Sequence, residues 1–265
     1  MSWRLLSAGS HAVAVALFCV SFITQSSSLA LAAGGLPPAC PSSDAAAEPA
    51  PLSAGAWQAE WNRTNTVRRQ ANADAVDLLF IGDSLTRGWP RTIWSREFAR
   101  YGALNLGFHG DRSSSLIWRL QQGQWGEGSS ALHPKLVVLL VGTNDLGNLG
   151  RGSKPEELAA GVVRILEFVR QRSPGSRTLL VGVLPRRAPN AMLEERRTRT
   201  NALIAGCADG ENVTFLDASK ALAPNGQPDA SLYRDNVHLT EEGYERLQAA
   251  LSPVIRSLMA RPSLR

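Results

Sequence analysis

Ser84, His238 and Asp235 are the residues of this chain whose types could perform nucleophilic chemistry together. A serine hydroxyl is a weak nucleophile until a neighbouring base takes its proton. Histidine has the pKa for that task, and a carboxylate beside it fixes its tautomer and stabilises the imidazolium. Asp235 and His238 stand three apart in Asp235-Asn236-Val237-His238, so one loop can carry both. The other histidines are His11, in the N-terminal segment, His133, which precedes Pro134 in a connection and reads as structural, and His109. The chemistry that such a set would run is acyl transfer from an ester.

That chemistry also needs N–H groups aimed at the oxygen that becomes negative in the tetrahedral intermediate. Gly110, within Gly107-Phe108-His109-Gly110-Asp111, can offer a backbone N–H with no side chain in the way. Asn144, within Gly142-Thr143-Asn144-Asp145, can offer its amide NH₂, and Ser84 its own N–H. Each residue also has a structural reading: Ser84 as a helix N-cap, Asn144 as an Asx-turn closing a strand. What favours the chemical reading is that all the blocks occur together and each falls where a functional loop would lie.

The elements that must position them alternate. Apolar runs predict strands near 76–81, 103–106, 135–141, 177–183 and 212–216. Helices are expected near 57–72, 91–100, 112–122, 155–172, 191–208 and 240–259. Lys154-Pro155-Glu156-Glu157 is a helix start, and Leu158, Val162, Ile165, Leu166 and Val169 then mark a single apolar face. Strand–helix alternation predicts an α/β fold, a parallel sheet covered on both sides. Ser84 follows the first strand and Asn144 the third, at the sheet edge where open α/β folds bind ligands.

These blocks resemble those of the SGNH (GDSL-type) hydrolase superfamily, most nearly the platelet-activating-factor acetylhydrolase Ib catalytic-subunit type. The residues that carry the likeness are Asp77 to Ser84, Ala103 to Gly107, Ile117 to Leu120, Pro134 to Val138, Val141 to Asn144 and Leu184-Pro185-Arg186. The resemblance covers roughly residues 74–258 and implies a flavodoxin-like three-layer sandwich with a five-stranded parallel sheet. It implies a catalytic Ser84, an Asp235–His238 pair, and an oxyanion hole of Ser84, Gly110 and Asn144. It also selects Gly110 over Gly107 as the oxyanion glycine. Two departures stand out: His109 occupies a position where that type has a small residue, and 121–130 is longer and richer in glycine. His109 and Trp125 are therefore candidate substrate contacts, although for Trp125 local packing is the preferred reading.

Before the domain lies Met1-Ser2-Trp3-Arg4, an apolar stretch from His11 to Ile23 and a small-residue zone ending Ala30-Leu31-Ala32. This order is that of a secretory signal peptide over 1–32, with an organelle-targeting segment or an uncleaved anchor as alternatives. The stretch is 13 residues long, short of the ~20 that span a bilayer. Residues 33–55, rich in Pro, Ala, Ser and Gly, read as a disordered linker, and 56–265 as the hydrolase domain. Localisation is thus expected to be secreted, endomembrane or periplasmic, with no stable membrane span after processing.

Cys40 and Cys207 could pair in an exported protein, but Cys207 sits on an apolar helix face, where a buried free thiol is the preferred reading. No Cys/His spacing suits a metal, and neither metal nor cofactor is expected. The net charge of +5 is mild. The cluster Arg186, Arg187, Arg196, Arg197 and Arg199 reads as a solvated face, and no nucleic-acid motif accompanies it. The expectation is a serine esterase for short-chain, acetyl esters of a small molecule, glycan or lipid, with a homodimer implied by the family namesake. A longer-chain lipase or thioesterase, and a non-catalytic glycan- or protein-binding module, are the alternatives.

Overall fold

Five parallel strands stand in the order β2-β1-β3-β4-β5 in the computed structural model, which describes residues 35–52, 57–147 and 152–264. The strands are β1 (Leu78–Gly82), β2 (Leu104–Asn105), β3 (Leu136–Leu140), β4 (Arg177–Val181) and β5 (Val213–Leu216). Leu79 pairs with Leu104 and Val137, and Val138 with Leu179, so β1 and β3 lie inside the sheet. Every residue of β1, β3 and β4 is buried, because both faces are covered and alternate side chains enter two different cores.

The helices are α1 (Trp57–Gln70), α2 (Ser84–Arg87), α3 (Arg91–Glu97), α4 (Ser113–Arg119), α5 (Thr143–Leu146), α6 (Pro155–Arg172), α7 (Ala191–Ala205), α8 (Ser219–Leu222) and α9 (Glu241–Met259). On one face Leu79, Ile81, Val137, Leu139 and Leu180 pack against α4, α6 and α7. On the other Leu78, Phe80, Val138, Leu179 and Val181 pack against α3, α8 and α9. Each fully buried Leu, Ile, Val or Phe contributes ~1.5–3 kcal/mol against its ordering entropy. The expected α/β sandwich with a five-stranded parallel sheet is what forms, and α6 has the predicted limits and apolar face.

Several expectations are corrected. The helix near 112–122 ends as an α-helix at Arg119; a wide turn follows, with Gly123 at φ +97°, and turns Gln124 and Trp125 inward. Trp125 is fully buried and meets Phe168 edge-on at 5.6 Å, so it is a core residue and not a cleft residue. The arginine cluster divides: Arg187 and Arg199 are exposed, whereas Arg186 and Arg197 are buried. Arg197 donates to the Val183 carbonyl at 3.1 Å and to Ser219 Oγ at 2.8 Å. A guanidinium with several donors can be buried where backbone oxygens meet it, which helix periodicity alone does not reveal.

A further correction concerns the presumed linker. Residues 36–52 lie on the domain, where Leu36 and Cys40 pack against the core and Ala46 is buried. Arg164 of α6 donates to the carbonyls of Ala47 at 3.0 Å and Ser43 at 3.5 Å, and Ala50 N–H to that of Ser114 at 3.4 Å. Cys207 is buried as expected but is no free thiol: it forms a disulfide with Cys40. Helix α7 stops at Ala205, and at Gly206 a Cβ would fall 2.3 Å from the Ala39 carbonyl oxygen, so the absent side chain admits the segment. A segment with little apolar bulk cannot build its own core, but it can be held by a covalent bond and by its neighbours' donors. The presumed signal segment lies outside the described residues.

Candidate active site

The turn that carries Ser84 begins at Gly82, the last residue of β1, with φ +152°. A Cβ there would lie 1.9 Å from the Leu140 carbonyl oxygen on β3, so only glycine fits. Asp83 then caps α2, its Oδ1 accepting from Leu85 N–H at 2.9 Å. The cap is therefore Asp83 and not Ser84, and Ser84 is left as the first residue of the helix with its hydroxyl available for other work.

That hydroxyl meets His238. Nε2 of His238 lies 2.9 Å from Ser84 Oγ, and Nδ1 lies 2.7 Å from Asp235 Oδ2. The other carboxylate oxygen of Asp235 accepts from the backbone N–H of Val237 and of His238, each at 2.7 Å. The loop thus closes on its own aspartate. An ionised Asp235 accepts only, so Nδ1 carries the proton and Nε2 is free to accept from Ser84. Partial burial works to raise the Asp235 pKa, but the two backbone N–H groups and the His238 ring outweigh it and hold it down at about 2.

Two further blocks converge on the same edge. Asn144, in α5 after β3, donates from Nδ2 to the Asp111 carbonyl at 2.8 Å. Gly110 precedes that residue. Both line a cleft of about 580 Å³, with Leu52, Trp57, Glu60, His109, Arg112 and Arg186 among the other walls. Ser84 itself does not line it. His109 is part of that lining, and partial desolvation, followed by the Arg87 guanidinium, lowers its pKa. Trp125 has no place there. Among the described residues no group of three or more His, Cys, Asp or Glu side chains is placed to hold a metal.

Beneath these residues lies a charged framework that sequence reasoning missed. Asp111 and Arg119 form a buried ion pair at 2.6 Å, and Arg119 also bonds Gln124 Oε1 at 2.6 Å and the Gly82 carbonyl at 3.2 Å. Asp145 accepts from the N–H and hydroxyl of Ser113, fixing the start of α4. Arg186 donates to Thr143 through both its side-chain and main-chain oxygens. Burial raises the pKa of Asp83 to about 8 and of Asp145 to about 6, and it also raises that of Asp111 against the pull of Arg119. The aspartates were visible inside the motif blocks. Their burial, and the choice of Arg119 and Arg186 from many arginines, had no periodic signature.

The sequence profile of the GDSL-like lipase/acylhydrolase family matches residues 80–246, a span from β1 into α9 that takes in every block above. The chain belongs to that family. It is a carboxylic ester hydrolase of the GDSL type, and its fold agrees with solved family members. It is 32% identical over 187 residues to human platelet-activating factor acetylhydrolase IB subunit alpha1, a match covering 69% of this chain and 77% of the relative. A GDSL-like lipase from Bacteroides thetaiotaomicron superposes with a TM-score of 0.60 at 22% identity, covering 75% of this chain and 98% of that one. An acetylxylan esterase from Geobacillus stearothermophilus does so with 0.53 at 18% identity, covering 71% and 95%.

Proposed function

We propose that this GDSL-type hydrolase cleaves short-chain esters, acetyl esters first, through an acyl-enzyme on Ser84. The observation that carries the reading is the continuous path from Ser84 Oγ to His238 Nε2 and from His238 Nδ1 to Asp235, at 2.9 and 2.7 Å. Ser84 Oγ attacks the ester carbonyl carbon as His238 takes its proton. Asp235, ionised throughout, stabilises the imidazolium. The N–H groups of Ser84 and Gly110 and the Asn144 amide receive the oxyanion. His238 then protonates the departing alkoxide. A water, deprotonated by His238, attacks the acyl carbon, and collapse of the second tetrahedral intermediate returns Ser84 and releases the acid.

The acyl class is supported by the relatives, one an acetylhydrolase and another an acetylxylan esterase by name. The natural alcohol is a glycan or lipid hydroxyl. Hydrolysis of p-nitrophenyl esters from acetate to octanoate, beside Ser84→Ala, tests the reading. Activity highest on acetate and abolished by the substitution is the expected result. Full activity of Ser84→Ala would overturn the mechanism, and a preference for octanoate would overturn the acyl class.

A further inference from the structure

The cleft beside Gly110 and Asn144 has one wall supplied by a segment outside the α/β fold. Ala50, Pro51 and Leu52 line it. A Cβ placed on Gly110 would lie 3.6 Å from Leu52 Cδ1, so the leucine stands on the side of Gly110 where a side chain would project. The segment reaches this position because it is tethered upstream. The Cys40–Cys207 disulfide pins it beside the end of α7, the Arg164 side chain holds the Ser43 and Ala47 carbonyls, and Ala50 N–H bonds Ser114 in α4.

Volume indicates what the cleft holds. About 580 Å³ is the size of a site for a whole small molecule, far more than an acetyl group fills. If the acyl group is short, as proposed above, the cleft is left for the alcohol. Its lining sets a limited apolar surface, from Leu52, Pro51 and Trp57, among the polar groups of Glu60, His109, Arg112, Asn144 and Arg186. Glu60 is paired with Arg63 and Arg87, Asn144 with Asp111 and Arg186 with Thr143. A hydroxyl-bearing alcohol therefore adds hydrogen bonds to a lining already polar, whereas a bare alkyl chain would strip water from it and offer no hydrogen bond in return.

We propose that the segment Ala50–Leu52 is a specificity element that closes the leaving-group side of the cleft around a bulky, polar alcohol, and that the Cys40–Cys207 disulfide holds it in place. The inference rests on the short-acyl esterase reading. The tether does not touch the reacting atoms. Its loss therefore changes how the alcohol is bound and leaves the chemistry at Ser84 as it was.

The test uses three acetates that share an acyl group: ethyl acetate, mono-O-acetyl xylotriose and dodecyl acetate. In the double variant Cys40→Ser/Cys207→Ser, KM for acetyl xylotriose should rise at least about fivefold, as expected when an apolar wall leaves its ligand, with kcat and ethyl acetate hydrolysis unchanged. Leu52→Ala, with the tether intact, should raise the same KM, so the outcome does not hang on the folding of the disulfide variant. An unchanged KM for acetyl xylotriose in Leu52→Ala, or an equal loss on all three esters in a folded disulfide variant, would overturn the proposal. A KM effect confined to dodecyl acetate would overturn the polar-alcohol assignment. Failure of the parent protein to hydrolyse even ethyl acetate would instead overturn the esterase reading on which it rests.

Discussion

Asn144 Nδ2 donates to the main-chain oxygen of Asp111 at 2.8 Å, which ties the loop after β3 to the loop that carries Gly110. The Asp111 carboxylate is in turn held by Arg119, and the same guanidinium reaches the Gly82 carbonyl beneath the Ser84 turn. Two oxyanion candidates and the turn that carries Ser84 are thus fixed to one buried cation. The arrangement is set before any ester binds, which is the condition for electrostatic stabilisation without reorganisation.

Asn144→Ala removes a side-chain donor while leaving the Asp111 main chain in place. The expected outcome is a fall in kcat on p-nitrophenyl acetate of about 10²–10³ with little change in KM, since the donor acts on the transition state. A loss confined to KM would remove Asn144 from the oxyanion hole.

Asp235→Asn keeps the shape of the loop but offers an amide where the ring needs an acceptor. Steady-state kinetics should show a drop in kcat of about 10⁴, the scale seen when the histidine tautomer is lost. Because the Asp235 carboxyl is held down at about 2, acidifying the parent to about pH 4 does not reproduce the variant. If the parent's rate below neutrality fell because Asp235 took up a proton, the variant would lack that acid limb; it should retain it.

Asp83 predicts a slope in stability. Burial carries its carboxyl from the ordinary 3.8 to about 8 in the folded chain, and Asp145 to about 6. Between about pH 4 and 8 the folded state keeps a proton on Asp83 that the unfolded state releases. The contribution of this group to unfolding free energy therefore falls as pH rises through that window and levels off above it. Asn still caps a helix, so Asp83→Asn should flatten urea-unfolding stability across about pH 5–9 relative to the parent. An identical slope in both proteins would contradict the burial argument.

Trp125→Phe separates packing from catalysis. The indole is fully buried, and its Nε1 has no hydrogen-bond partner. Lost ring volume and removal of an unpaired donor oppose each other, so thermal unfolding should register only about 1–2 kcal/mol. Ester hydrolysis should stay at the parent rate. A clear change in KM with unaltered stability would return Trp125 to the substrate site.

Much of the fold was legible because it is periodic. The apolar runs of β1 and β3 and the i, i+3, i+4 face of α6 state their environment residue by residue. The Asp235–His238 loop was legible because its partners are three residues apart and bond locally. Trp125 was harder: its glycine-rich stretch left a place at the cleft open beside the preferred local packing, and the turn at Gly123 folds it inward.

By itself, then, the sequence determined the parallel α/β order, the motif blocks and which side chains could supply a nucleophile, a base and oxyanion donors, since these depend on residue type and short-range spacing. Only the tertiary structure decided that Asp83 and not Ser84 is the helix cap, that Arg119 and Arg186 are buried, and that Cys40 meets Cys207 across 167 residues of chain. Those outcomes turn on groups far apart in sequence competing for the same buried space. No local pattern encodes which carboxylate, guanidinium or thiol will find its partner there.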